Sequence, residues 1–148
     1  MRVGEVSVGV NEILGDRRVQ QEKLLHDLIQ AKVVRFDSGL PALLPTTHGL
    51  YAISMIGAPD GEYLHAGKTK RGRSGLLGRV WEQHYQIGGS PGDLVEKVRA
   101  RGHGASAAEA REYIRQNCQV QWLVVENDVQ RNWAEHYILA MLRPIWGS

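Results

Sequence analysis

Apolar residues in "RRVQQEKLLHDLIQAKVV", residues 17–34, recur at Val19, Leu24, Leu25, Leu28 and Ile29, the spacing of one helical face, and predict an amphipathic helix. Ahead of it, Val3, Val6, Val8 and Val10 alternate imperfectly. "FDSGLPALLPTTHG" then breaks the pattern with Gly39, Pro41, Pro45 and Gly49, so a boundary is expected near residue 46. "GLYAISMI" and "EYLHAGK" read as two strands joined by the turn formers of "GAPDG", an antiparallel hairpin. Ser74 precedes a helical stripe of Leu76, Leu77, Val80, Trp81 and His84 that Gly88 and Gly89 close. A further helix is expected from "SPGD", with Ser90 capping and Pro91 at its first position. Another opens at "SAAE", where Ser106 and Glu109 have capping-box spacing. "CQVQWLVVEN" alternates as a third strand, and residues 128–142 form a last helix before Pro144.

Composition narrows the class. With 148 residues, 43% hydrophobic and 23% charged, the chain suits one globular domain, residues 46–148, carrying a helical appendage, residues 1–45. Eighteen Lys and Arg against 16 Asp and Glu give net +2, too mild for a general polyanion binder, so any nucleic-acid footprint must be local. A single cysteine, Cys118, excludes a disulfide framework within the chain and points to a reducing compartment. No stretch approaches the roughly 20 apolar residues of a membrane span, and the first residues lack the apolar region of a signal peptide. The expectation is a soluble, cytoplasmic protein with no membrane partner.

The chemistry-bearing positions cluster. Lys68, Lys70, Arg71, Arg73 and Arg79 follow one another without an acidic residue where the second strand feeds a helix, a patch suited to phosphate oxygens. A solvated basic loop reads the same way on charge alone. Glu135, in "NWAEHYILAMLRP", falls at the margin of an apolar helical stripe. A carboxylate there needs a partner, either a divalent cation or a surface arginine, Arg131 or Arg143. Tyr51 and Tyr63 suit ring packing in strands, and His65 and His84 suit structural hydrogen bonds, yet all four gather polar groups around one hairpin.

Taken in order, "GLY" at 49–51, "HAG" at 65–67 followed by Lys68 and Thr69, Arg79, and Glu135 before "LRPIW" resemble the GIY-YIG nuclease superfamily over residues 47–147, closest to its restriction-endonuclease branch. The resemblance implies an α/β fold, a three-stranded antiparallel sheet flanked by helices. It implies phosphodiester hydrolysis with one divalent cation, Mg²⁺ or Mn²⁺. Tyr51 would then stand near the attacking water, Arg79 would hold the scissile phosphate and Glu135 would be the metal ligand. This chain departs from the pattern three times. His65 stands where the family has its second tyrosine, and as an imidazole with a pKa near ~6.5 it offers a base near neutral pH. The helical histidine falls at His84 rather than at Gln83, a difference of about 100° around an α-helix, for which a local adjustment of the helix is expected. Gly147 replaces a terminal asparagine.

The functional expectation is a metal-dependent endonuclease acting on DNA, duplex before single-stranded, in restriction or genome defence. A weakened nucleic-acid-binding module of the same fold is the alternative, and a protein-interaction domain a third reading. Cutting both strands of a duplex requires two sites, so a homodimer or larger assembly is expected.

Overall fold

The computed structural model describes residues 3–70, 74–87 and 93–148, with side chains described from residue 9 and not at 87. The elements run α1 (Val3–Gln30), β1 (Val34–Arg35), α2 (Leu40–Leu43), β2 (Gly49–Met55), β3 (His65–Lys68), a π-helix (Leu77–Ile87), α3 (Leu94–Ala100), α4 (Ala107–Asn117), β4 (Cys118–Val124) and α5 (Asp128–Leu142).

The architecture is α/β, with an antiparallel sheet in the order β1-β4-β2-β3. Four strands replace the three expected. The extra one is the two-residue β1, where Val34 and Arg35 pair with Val120 and Gln119. Its reason lies in that distant partner: the exposed edge of β4 offers unpaired backbone groups that residues 34 and 35 satisfy. The first helix is correspondingly displaced from its expected 17–34. It ends at Gln30 and reaches back to Val3, so the alternating valines are helical.

Period-two alternation in β2 divides the core. Leu50 and Ala52 pack with Leu28, Tyr63, Ala66, Ala134 and Ile138 against α1 and α5. Tyr51 and Ile53 face the other way, among Phe36, Leu40, Leu44, Leu76, Val80, Leu94, Val98 and Ile114. Residues 36–44 therefore contribute to the same core as the hairpin. The strand pair is in the register Tyr51↔Gly67 and Ile53↔His65, with β3 beginning at His65 rather than Glu62.

Local chemistry explains the helix starts. Ser106 Oγ accepts from the Glu109 N–H at 3.2 Å while Glu109 Oε2 accepts from the Ala105 N–H at 2.7 Å, a capping-box arrangement. Asn127 Oδ1 caps α5 by accepting from Gln130 N–H at 2.9 Å. α3 begins at Leu94 with Asp93 before it, and the expected caps Ser90 and Pro91 lie outside the described residues, as do Gly88 and Gly89. Beyond α5, Arg143 adopts the left-handed conformation, φ 46°, and turns the chain back. The N–H groups of Ile145 and Trp146 then donate to the Tyr63 and Leu64 carbonyls, laying the terminal segment along the β3 side of the sheet. Among the described residues no helix is long and apolar enough to cross a membrane.

Candidate active site

Tyr51 sits in the middle of β2 with its ring buried, only 1% exposed, and its phenol oxygen is the hub of a polar cluster. His84 Nε2 lies 2.7 Å from Tyr51 Oη, Arg79 Nε donates to it at 3.3 Å, and His65 Nε2 lies 3.4 Å away. The two imidazoles meet edge to face, 4.6 Å between ring centres. His84 Nδ1 accepts the Leu94 N–H at 2.9 Å, so the neutral ring carries its proton on Nε2 and donates it to the phenol oxygen.

Arg79 and His84 reach the same atom although five residues separate them. In an α-helix that spacing would place them about 140° apart. The winding from Leu77 to Ile87 is instead π, whose i→i+5 hydrogen bonds bring the fifth residue back to the same side. The π winding is a local change of helix that lets Arg79 and His84 converge. Gln83 takes a different task, its Oε1 accepting from Arg79 Nη1 at 3.1 Å. Asp93 Oδ1 lies 3.4 Å from the same nitrogen and completes the bracing of the guanidinium.

Glu135 arrives from α5. Its Oε2 accepts the Lys68 backbone N–H at 3.1 Å, while the Lys68 ammonium donates to Asn132 Oδ1 at 2.8 Å. The two arginines considered as its partners are engaged elsewhere: Arg131 with Asp128 and the Val125 and Glu126 carbonyls, Arg143 with the Ala140 carbonyl. Between Glu135 and Tyr51 lies Gly67. A Cβ there would stand 2.8 Å from Tyr51 Oη and 3.7 Å from Glu135 Oε2, so the missing side chain leaves one space that both groups face.

Burial sets the protonation states. It pushes the Tyr51 phenol up to about 12, against the opposing charge and hydrogen bond of Arg79. Burial likewise drives His65 down to about 3, with the charges of Lys97 and Arg79 acting in the same direction. His84 is held well below the usual imidazole range by burial, then by His65 and Arg79. His65 is therefore an uncharged ring at neutral pH and a poor base, unlike the free imidazole that the sequence suggested.

The structure brings Tyr51, His65, Arg79, His84 and Glu135 together and places Lys68 beside them. Lys70 is exposed, and Arg71 and Arg73 lie outside the described residues. Tyr63 stands apart in the opposite core layer. Sequence reasoning missed Gln83, Asp93, Lys97 and Asn132, which act as braces and carry no motif of their own. Among the described residues, no group of three or more His, Cys, Asp and Glu is arranged to hold a metal ion. Comparison with family models, with curated proteins and with solved structures finds no match to this chain.

Proposed function

We propose that the chain is a metal-dependent endonuclease of the GIY-YIG kind, hydrolysing phosphodiester bonds in DNA. The observation that carries this reading is the meeting of a phenol, a guanidinium and a carboxylate from β2, the π-helix and α5 around the space above Gly67. Restriction or genome defence is the setting that the resemblance implies.

Hydrolysis of a phosphodiester needs a proton acceptor for the attacking water and positive charge for the phosphoryl oxygens. Tyr51 is the acceptor. Burial keeps the phenol protonated at neutral pH, so its proton must first pass to solvent; the N–H groups of His84 and Arg79 and a bound cation would favour the phenolate, which then takes the water proton at Oη. Arg79, held by Gln83 and Asp93, presents its guanidinium to the phosphate oxygens. Lys68 and Lys70 hold the flanking backbone by charge. The single carboxylate of Glu135 fits Mg²⁺ or Mn²⁺, because such ions take one or two carboxylates, substrate phosphate oxygens and retained water rather than a cage of protein ligands. Bound there, the cation would supply positive charge to the phosphate and to the phenol oxygen.

Supercoiled plasmid incubated with the protein and Mg²⁺ or Mn²⁺ tests the assignment. The wild type should cleave, and Glu135→Ala, Arg79→Ala and Tyr51→Phe should each lose about 10²-fold or more in rate. Equal nicking by all four proteins would reject these residues. Retention of DNA without cleavage by any of them would favour the weakened binding module.

A further inference from the structure

Lys97 lies on α3, outside the constellation named in the sequence, yet its ammonium touches the site from behind. It is 3.0 Å from His65 Nδ1 and donates to the Trp146 and Ser148 backbone oxygens, each at 2.8 Å. An ammonium has three N–H donors and no lone pair, so these three contacts use all of its hydrogens and require His65 Nδ1 to be an acceptor. A neutral imidazole with Nδ1 bare carries its proton on Nε2, the nitrogen that faces Tyr51 Oη. The Leu94 N–H imposes the same tautomer on His84. Together with Arg79 Nε–H, three N–H groups then point at one phenol oxygen, and none of them can receive its proton.

We propose that Lys97 is a positioning residue: it locks His65 as the Nε2–H tautomer, making His65 a donor to the Tyr51 oxygen and not its base, so that its N–H offsets part of the burial that disfavours the phenolate. The inference rests on the nuclease reading of Tyr51 and adds to it the group that orients the histidine. It also accounts for the histidine at position 65. A phenol there could either give or take a proton, whereas an imidazole pinned from behind can only give one.

The surroundings agree. Burial, then the nearby charges of Arg101 and Arg79, lower the Lys97 ammonium to about 8, so it remains a cation at neutral pH. Beyond burial, His65 faces the charges of Lys97 and Arg79, both of which disfavour a second proton on it, and the neutral ring of His84; the Gly147 carbonyl alone pulls the other way. A Cβ at Gly147 would stand 4.0 Å from Lys97 Nζ, placing the ammonium at the position where the terminal asparagine of the resemblance is lacking. Arg101 stacks on Trp146 at 4.7 Å and holds the terminal segment that supplies the other two acceptors.

Nitrogen NMR of the full-length protein, labelled in its imidazoles and free of DNA and metal, reads the tautomer directly. Between pH 6 and 7.5, below the Lys97 value, the expected spectrum has His65 Nε2 protonated and Nδ1 bare; an Nδ1–H on His65 in the wild type overturns the proposal. Lys97→Met should give a mixture of tautomers, and Lys97→Arg should restore the single one. In plasmid cleavage, Lys97→Met should lower kcat about 10-fold at pH 7 with KM unchanged and shift the rising limb of the pH profile to higher pH by about one unit. A Lys97→Met protein that loses thermal stability but keeps both the tautomer and the pH profile assigns the lysine to fastening the terminal segment alone, and overturns the proposal. Should the wild type cleave no DNA, the nuclease reading falls while the spectrum still decides the tautomer.

Discussion

At the residue scale the central tension is between burial and charge. His65 and His84 are wholly buried beside Arg79 and Lys97, and both are uncharged at neutral pH. The folded protein protonates His65 only near about pH 3, whereas the unfolded chain does so near 6.5. Over that window the unfolded state binds more protons, so stability falls as pH falls, by about 1.4 kcal/mol per pH unit for His65, with His84 adding in the same direction. Urea unfolding at pH 7, 6 and 5 should show this decline, and His65→Gln should flatten it; equal slopes in the two proteins would mean that the ring is already charged in the folded state. Tyr51, Arg79 and Glu135 were legible in the sequence because ordered motifs flank them. Lys97 was not, since its contact with His65 spans 32 residues and exists only after α3 docks. The protonation of His65 was misread for the same reason: an unperturbed imidazole pKa presumes solvent, and the fold removes it.

At the element scale the π-helix carries the most information. Its apolar stripe was visible as helical, but a stripe does not distinguish α from π winding, because both return to one face within four or five residues. The arrangement of Arg79 and His84 on one phenol oxygen depends on that winding. Exchanging the two residues, Gln83→His with His84→Gln, therefore discriminates between the two helices. In an α-helix the exchange would put the histidine one turn from Arg79 and preserve cleavage. In the π-helix it moves the imidazole off Tyr51 and removes the Gln83 brace, so plasmid cleavage should fall at least as far as in His84→Gln alone. The regular elements were legible for local reasons: Ser106 and Glu109 set the start of α4, and residues 128–142 form α5 as their periodicity indicated. β1 was not, because two residues hold no period and only pairing with β4 makes them a strand.

At the scale of the whole molecule, the endonuclease proposed above would have one Tyr51 oxygen and one Glu135 carboxylate per copy, a set that serves one strand at a time. Severing a duplex demands either two sequential visits or two copies facing opposite strands, and the second arrangement gives linear product without an accumulating nick. The chain carries a surface compatible with a second copy. The later half of α1 packs through Leu24, Leu25 and Leu28 against α5 and the sheet, whereas Val10, Ile13 and Leu14 on its earlier half are 47%, 51% and 49% exposed. The same helix carries Glu12 and Asp16 before Arg17 and Arg18, an order of charge that is self-complementary when two copies run antiparallel. Sedimentation at micromolar concentration should therefore find a dimer or larger species, and plasmid should pass directly to linear form. Replacing Ile13 and Leu14 together by Glu should yield monomers that leave nicked circles, while the first nick forms at an unchanged rate, because the Tyr51 ring packs on the other face of the sheet. A wild type that sediments as a monomer with DNA bound and stops at the nick would show that each copy works alone, and would confine the role of α1 to covering the Leu50 face of the sheet.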